Sequence, residues 1–349
     1  MRFVNFFLIV LAFCFLQSCS KQALYQSKHY VFGTIVDISI YGEEEKKAEE
    51  ASQAVIREFT RLHNTFHAWK KSDLTNLNES ISKHKLHLNA STELIKIIKD
   101  ARTIENQSDH LFNPAIGELI DYWGFHQDEF NPINPDKSKI KTLVKRKPSL
   151  DQLHISASTI SSSNPHVKID LGGFAKGYAL DQANKILHEH QIKNALINIG
   201  GNIIAIGQHG NKPWRVGIQD PRSTQAIAKL DLHDGWAIGS SGDYQRYFIH
   251  NGIRYCHLIN PFTGFPVQGV FSVTALIEPS QNAGTLSDAL TKPLFISKKE
   301  DRVALARKLN IRHYLIIEDR GISMTQTMAD KIQFLEPYTN KKKAIEITY

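Results

Sequence analysis

Hydrophobic positions in this 349-residue chain follow two different periods, and the balance between them changes near residue 168. Alternating apolar residues predict a first strand over 29–41. Apolar residues three or four apart predict a long amphipathic helix over 43–69 and a second helix that begins near Ser91 or Thr92. Beyond residue 168, short apolar runs separated by glycine and asparagine turns predict strands, at 195–199, 203–206 and 215–218.

Two further helical regions are predicted around 173–190 and 283–309. The whole pattern predicts an α+β protein, with mixed or antiparallel sheets and helices packed on them. Hydrophobic residues make up 42% of the chain, which is enough to build a core at this length. We expect one large domain or two closely packed ones.

The first 18 residues are organised like a bacterial lipoprotein signal peptide. Arg2 supplies the positive charge, an apolar run extends from Val4 to Leu16, and the sequence Leu-Gln-Ser-Cys ends at Cys19. The prediction is a lipid-anchored protein on the periplasmic or extracytoplasmic face of a bacterial membrane, with lipid on Cys19. The alternative is a transmembrane anchor, but the run is shorter than the roughly 20 apolar residues that span a bilayer.

The chain thus divides into a signal peptide (1–18), a polar tether (19–28), a folded domain (29–340) and a basic tail (341–349). The formal charge is +7, and +6 once Arg2 is removed. The charge is dense only at Lys341–Lys343, and no basic stripe with interleaved aromatic residues is present, which argues against a nucleic-acid partner. Cys256 is the only thiol that would remain, so no intramolecular disulfide is expected.

A glycine turn between a strand ending at Asp170 and a helix opening near Lys176 is the first candidate for chemistry. Such a turn points backbone N–H groups and the positive end of a helix toward one place, which suits a phosphate. It matches neither the P-loop nor the Gly-x-Gly-x-x-Gly pattern. A purely structural glycine turn is the alternative.

A second candidate is the predicted helix from Ala283, which presents Thr285, Asp288, Thr291 and Lys292 three or four residues apart. A carboxylate with neighbouring hydroxyl groups suits Mg²⁺, which prefers oxygen ligands. An ordinary exposed polar face is the alternative, and Pro293 should break or kink this helix.

The third candidate combines a glycine and serine turn at 239–242, leading into a strand, with His257. The histidine stands just before an Asn-Pro-x-Thr-Gly turn, where it could act as base or ligand.

Together these motifs resemble the ApbE family, the periplasmic FAD:protein FMN transferases. The likeness extends over about residues 29–325. The matching stretches are 32–34, 112–114, 123–125, 170–178, 198–202, 214–221, 240–244, 257–266 and the helix of Asp288.

The resemblance implies a T-fold-like architecture and Mg²⁺-dependent transfer of FMN from FAD to a threonine hydroxyl of another protein, with release of AMP. It implies metal ligands at the Ala175 carbonyl, Asp288 and Thr291, and candidate bases at His257 and Asp288. The implied nucleotide-binding residues are Gly172, Gly173, Lys176, Tyr178, Asn198, Ser240, Ser241, Asp243, Tyr244 and His257. The implied acceptors are exported subunits of the sodium-translocating NADH:quinone reductase and of Rnf complexes.

The chain departs from the family pattern at the metal helix, which usually reads Asp-x-x-x-Thr. Lys292 occupies the place of that threonine, which leaves the third ligand open and makes Lys292 an alternative partner for phosphate. Asn113, Asn260 and Phe262 also replace residues that are charged in the family. Two other functions remain open: an FAD pyrophosphatase that uses water in place of threonine, and a non-catalytic FAD-binding lipoprotein.

Overall fold

The computed structural model describes residues 24–127, 129–338 and 345–348. The predicted signal peptide, its Cys19 and the basic run Lys341–Lys343 lie outside these residues. Among the described residues, no helix is both long and apolar enough to cross a membrane.

The helices of the described chain are numbered from its amino-terminal end. They are α1 (Glu45–Thr65), α2 (Asp73–Ser82), α3 (Thr92–Gln107), α4 (Gly117–Tyr122), α5 (Lys137–Lys145), α6 (Ala175–Glu189), α7 (Ala283–Ala289), α8 (Thr291–Ile296), α9 (Arg302–Lys308) and α10 (Gln326–Ala329), with 3-10 turns at Leu150–Gln152 and Lys299–Asp301.

The strands are numbered in the same way. They are β1 (Leu24–Val31), β2 (Thr34–Tyr41), β3 (His87–Leu88), β4 (Leu153–Ile155), β5 (Thr159–Ser162), β6 (Ala195–Ile199), β7 (Asn202–Ile206), β8 (Trp214–Gln219), β9 (Ala226–Leu232), β10 (Ala237–Gly242), β11 (Tyr247–His250), β12 (Ile253–Cys256), β13 (Val270–Ile277), β14 (His313–Glu318), β15 (Gly321–Thr325), β16 (Ile332–Phe334) and β17 (Ile345–Thr348).

A nine-stranded sheet organises the fold, in the order β1-β2-β6-β7-β10-β13-β14-β15-β17. Its pairings are antiparallel except for the parallel pair of β15 and β17. Side chains alternate between its two faces. Ile204 and Ile206 belong to the core shared with the helices, whereas Ile203 and Ala205 pack in a second core with β8 and β9.

The protein is therefore layered, with α1, α3 and α6 on one face of the large sheet and the sheet β16-β9-β8, together with α10, on the other. The first core contains side chains from α1, α3 and α6. Val55, Phe59, Leu62 and Phe66, which follow one another at intervals of three or four, are all buried in it, which confirms the predicted amphipathic helix within 43–69. A third, smaller cluster surrounds the fully buried Trp123 and includes Phe125 and Phe248. The predicted α+β class with mixed and antiparallel sheets is confirmed.

The two ends of the described chain differ from the prediction. The predicted single strand over 29–41 is a hairpin, because Phe32 and Gly33 adopt positive φ angles and reverse the chain between β1 and β2. Its first strand begins at Leu24, so part of the predicted tether belongs to the sheet. Likewise, Ile345–Thr348 pairs with β15, so part of the predicted basic tail is a strand.

Two predictions near the site were wrong in their local structure. Lys168 forms only an isolated bridge with Ile116, in place of the predicted strand that ends at Asp170. The Asn78 side chain binds both the backbone N–H and the backbone carbonyl of Ile169, so these two groups are not available to a neighbouring strand. The predicted turn at 239–242 is the end of β10. Its Gly239 serves close packing instead, since a Cβ there would lie 2.1 Å from the Ser287 carbonyl oxygen.

Candidate active site

The Asp288 carboxylate is buried where helices α6 and α7 cross at close range. Gly177 and Gly284 make this approach possible, because a Cβ on Gly177 would lie only 2.4 Å from the Gly284 carbonyl oxygen. The Gly177 amide, one of the free N–H groups of the first turn of α6, donates to Asp288 Oδ2 at 3.0 Å. Asp288 is thus fixed at the positive end of α6, where a negative charge is stabilised.

The glycine turn before α6 is held by Asp170. Asp170 Oδ1 accepts from the Gly172 amide at 2.7 Å, and Oδ2 lies 2.8 Å from His126 Nε2. Burial raises the pKa of the Asp170 carboxyl, but the hydrogen bonds from His126 and Gly172 outweigh it and hold that pKa below its usual range. Asp170 therefore holds the turn as an ionised carboxylate, while Gly172 itself is exposed.

Two lysines converge on Asp288. Lys176 Nζ lies 3.9 Å from Asp288 Oδ2, and Lys292 Nζ donates to Asp288 Oδ1 and, at 2.7 Å, to its backbone oxygen. Burial raises the pKa of Asp288, but the two ammonium groups hold it below its usual range. Burial lowers the pKa of Lys292 to about 8, although Asp288 opposes that change. The site combines one carboxylate with two cationic side chains.

The predicted helix from Ala283 is interrupted at Leu290, as Pro293 led us to expect. Proline has no N–H to give to the carbonyl of Ala289, and its ring clashes with that carbonyl in a continuous helix. The break lets the Thr291 hydroxyl donate to the Asp288 backbone oxygen at 2.6 Å and bind Ser241 Oγ at 2.7 Å. A hydroxyl has one hydrogen, so Ser241 is the donor in that second bond.

His257 lies beside this group at the end of β12. Its backbone amide donates to the Arg246 carbonyl at 3.0 Å, and its Nδ1 lies 3.3 Å from the same oxygen. Burial, followed by the positive charges of Arg246 and Lys176, lowers the pKa of His257 to about 3. The imidazole is therefore neutral at physiological pH, and one of its ring nitrogens can accept a hydrogen bond.

Several predicted nucleotide-binding residues have contacts away from Asp288. The Tyr178 hydroxyl donates to Glu93, and its side chain lines a cavity of about 270 Å³. Asn198 accepts from Gly201 in the β6–β7 turn, and Ser240 binds Thr274 on the neighbouring strand.

The remaining two predicted residues lie at the end of β10. Asp243 forms a bidentate ion pair with Arg222 at 2.7 and 2.8 Å. The ring of Tyr244 covers Gly242, where a Cβ would lie 2.1 Å from it.

Three residues around the site were missed as candidates. His126 supports Asp170, Trp69 stacks on His126 with ring centroids 5.3 Å apart, and the Arg246 guanidinium lies 5.7 Å from the Trp69 ring. The Trp69 indole N–H is buried without a hydrogen-bond partner in the described part of the chain. His126 directly follows the Trp-Gly-Phe stretch, which is the one signal that could have pointed to it.

Asp181, one turn further along α6 than Gly177, was also missed. Its carboxylate accepts from the Gly284 amide at 2.7 Å and from the Thr285 amide and hydroxyl at 2.9 and 2.6 Å. Thr285 is therefore turned toward Asp181 and away from Asp288. Burial raises the pKa of Asp181 to about 6, although these hydrogen bonds act to lower it.

A Mg²⁺ ion would have few protein ligands here. Across residues 24–127, 129–338 and 345–348, no group of three or more His, Cys, Asp or Glu side chains is placed to hold a metal. Mg²⁺ nevertheless often binds through one or two carboxylates and takes its other ligands from water and substrate phosphates. Asp288 already binds a cation, the Lys292 ammonium, and the Thr291 hydroxyl and first turn of α6 are adjacent, so the oxygen donors fit a hard cation.

Comparison with known proteins identifies the family. The chain matches the ApbE family over residues 32–315. It is 35% identical over 308 residues to an FAD:protein FMN transferase of Rhodobacter capsulatus, covering 88% of this chain but 58% of that relative. It is 29% identical to the FAD:protein FMN transferase of Haemophilus influenzae, covering 84% and 85% of the two chains.

Solved structures agree with this assignment. The ApbE protein of Thermotoga maritima superposes with a TM-score of 0.77 at 29% identity, over 91% of this chain and 99% of that one. The flavin transferase ApbE of Vibrio cholerae gives 0.74 at 24% identity, over 90% and 100%, and supports the fold alone. The chain belongs to the ApbE family.

Proposed function

We propose that this chain transfers FMN from FAD to a threonine hydroxyl of a target protein in a Mg²⁺-dependent reaction. The observation that carries the proposal is the convergence of the glycine turn, Lys176 and Asp288 at the start of α6. This is an anion-binding helix terminus with a carboxylate beside it, which suits the diphosphate of FAD. The names of the relatives support transfer of FMN from FAD to a protein.

In this reaction the threonine oxygen attacks the phosphorus atom on the riboflavin side of FAD. A new P–O bond forms, the bond to the AMP phosphate oxygen breaks, and AMP leaves with the electron pair. The threonine proton passes to a base. Such transfers depend mainly on positioning and on neutralising the charge of the phosphate oxygens.

The chain's own residues meet these needs. The positive end of α6 and the Lys176 ammonium attract the diphosphate, and the neutral His257 imidazole can take the threonine proton. Asp288 is the other candidate base. A bound Mg²⁺, held by Asp288 with the Ala175 carbonyl and Thr291 as proposed further ligands, would withdraw charge from the phosphate oxygens.

The remaining assignments are part of this proposal. Tyr178, Asn198, Ser240, Ser241, Asp243 and Tyr244 are proposed to form the flavin nucleotide pocket. Attachment to a bacterial membrane through lipid on Cys19 is proposed from the sequence, on its periplasmic or extracytoplasmic face. The proposed acceptors are membrane redox subunits such as those of the sodium-translocating NADH:quinone reductase or Rnf complexes.

The decisive experiment incubates the full chain with FAD, Mg²⁺ and an acceptor domain, followed by intact-mass measurement of the acceptor. We expect a gain of one FMN that disappears with EDTA or when the acceptor threonine is replaced by alanine. Free FMN and AMP without a mass gain would identify FAD hydrolysis. FAD that remains bound and intact with every acceptor offered would indicate a carrier.

Asp288→Asn should lower the transfer rate at least about a hundredfold, as expected for loss of a catalytic carboxylate. Asp231→Asn is a matched control on an exposed strand surface, where Asp231 pairs with Arg215. Equal rates for both variants would contradict the role of Asp288.

A further inference from the structure

The Lys292 side chain lies in the interior of the candidate site, with its ammonium against the Asp288 carboxylate. Lys292 is 8% exposed, and its ammonium donates to both the carboxylate and the backbone oxygen of Asp288. A lysine ammonium is a compact point charge, as a metal ion is. Asp288 Oδ2 accepts the Gly177 amide, so Oδ1 is the oxygen through which a metal would compete with Lys292.

The side chain is held in this position by its surroundings. The Lys292 methylene stem packs along the glycine turn, where a Cβ on Gly173 would lie 3.3 Å from Lys292 Cε. The break at Leu290 turns the first residues of α8 so that Thr291 and Lys292 both reach the Asp288 carbonyl. Gly173 and Pro293 thus provide the space and the bend that this arrangement needs.

The local charge opposes a second cation while Lys292 remains in place. Lys176 lies 3.9 Å from the same carboxylate, so two ammonium groups already face a single negative charge. A divalent ion at Asp288 Oδ1 would meet repulsion from both of them. Release of Lys292 from Asp288 would remove the nearer ammonium charge and leave Asp288 Oδ1 available to the divalent ion.

We propose that the Lys292 ammonium is an internal cation of this site, which a divalent ion must displace from Asp288 in order to bind. Its consequence for catalysis rests on the proposed FMN transfer: the displaced ammonium remains beside the glycine turn and is available to the diphosphate. The usual family threonine at this place carries no charge, so this competition is a property of the present chain.

The test measures binding of Mn²⁺ to the full chain, purified in detergent without FAD or acceptor, by electron paramagnetic resonance of the free ion. Lys292→Thr should bind Mn²⁺ at least about tenfold more tightly than the unsubstituted chain, since a hydrogen bond to a charged group no longer has to be broken. Lys185→Thr, the same substitution at an exposed position of α6, should leave the affinity unchanged.

Asp288→Asn combined with Lys292→Thr should abolish the gain. Equal affinity of Lys292→Thr and the unsubstituted chain, or a gain that persists in the double variant, would overturn the proposal. Lys292→Met keeps most of the side-chain length, has neither a charge nor an oxygen ligand, and should show the same gain, also if Lys292→Thr does not fold. A gain in Lys292→Thr that is absent in Lys292→Met would come from the added hydroxyl ligand and would overturn the proposal. Added Mn²⁺ should also raise the melting temperature of the lysine variants more than that of the unsubstituted chain.

These outcomes are independent of FMN transfer. Tighter Mn²⁺ binding by Lys292→Thr, with no FMN transfer to any acceptor, would support the competition and contradict the proposed function. FMN transfer by the unsubstituted chain, without any gain in Mn²⁺ affinity in the Lys292 variants, would support the proposed function and contradict the competition.

Discussion

At the scale of single residues, the site is defined by how charges are compensated. Asp288 is buried against two ammonium groups and an amide, and His257 is neutral because it is buried and because Arg246 and Lys176 lie near it. An acceptor hydroxyl that enters this group would therefore meet bases that are already deprotonated at neutral pH. The direction of these pKa changes leads to a kinetic prediction.

We expect the pH profile of kcat/KM for FMN transfer to lack an acid limb near pH 6.5, the usual pKa of histidine. The pKa of His257 is lowered to about 3, so its imidazole stays unprotonated throughout the range from about pH 5.5 to 8. His257→Asn should lower the rate without moving any limb in that range. An acid limb near pH 6.5 that vanishes in His257→Asn would show that the free enzyme protonates this histidine.

At the scale of elements, the contact between α6 and α7 sets the position of Asp288. Glycines at the crossing allow the close approach, and Asp181 binds the first amides of α7. The two features fix the helices at different points along α6. Each can be tested by its effect on the free energy of unfolding.

Gly177→Ala should destabilise the protein by about 1–3 kcal/mol, the usual cost of adding atoms to a packed interior. The added Cβ would lie 2.4 Å from the Gly284 carbonyl oxygen and 2.7 Å from Asp288 Cβ. Urea unfolding measures the change, with Lys185→Ala on the exposed face of α6 as a control expected to stay within about 0.5 kcal/mol. Equal stability of both variants would mean that the helices can separate freely.

Asp181 should make stability depend on pH in a defined direction. Its pKa is raised from 3.8 to about 6, so the folded chain holds this proton more tightly than the unfolded chain. The stabilising contribution is present below pH 3.8 and is lost as the pH rises through about 6. The unfolding free energy of the unsubstituted chain, relative to Asp181→Asn, should fall by up to about 3 kcal/mol between about pH 4 and 7. A difference independent of pH would show that Asp181 does not titrate in this range.

The sequence predicted elements with regular periodicity better than those shaped by tertiary contacts. The spacing of Val55, Phe59 and Leu62 is enough to locate α1, since each buries its side chain in one core. By contrast, glycines at 239–242 suggested a turn, because the pattern does not reveal that β7 and β13 flank this segment. The hairpin at Phe32 was missed for a related reason, since a positive φ angle at a non-glycine residue has no clear sequence signal.

At the scale of the whole molecule, the large sheet positions the site by bringing distant segments together. Asp170, Lys176 and Asp288 are adjacent in the fold, and their grouping was expected from the family resemblance. The roles of His126 and Asp181 were recognised only from the fold. His126 contacts a residue 44 positions away in the sequence, and Asp181 contacts one 103 positions away. Short motifs could not have shown such pairs.

The sheet also limits the distance between the protein body and the predicted membrane anchor. The edge strand β1 begins at Leu24, five residues after the predicted lipidated Cys19. Five residues span at most about 18 Å, so the body would be kept close to the bilayer surface. An enzyme and a membrane acceptor confined in this way meet at a raised effective concentration without any additional contact.

Cys19→Ala, in a chain whose apolar run 4–16 is exchanged for an export signal that is cleaved without lipidation, should therefore release the protein from the membrane fraction and lower FMN transfer to a membrane-embedded acceptor by about tenfold or more. Transfer to a soluble acceptor domain should be unchanged, because Cys19 precedes the folded body and the site residues are intact. Membrane fractionation and the intact mass of the protein would show whether the lipid is attached. The intact mass of the acceptor would measure FMN transfer. Cys14→Ala, within the apolar run, is the matched control and should still be processed. A Cys19→Ala protein that keeps lipid and membrane attachment would require an anchor elsewhere, since the only lipid site that the sequence predicts would then be absent.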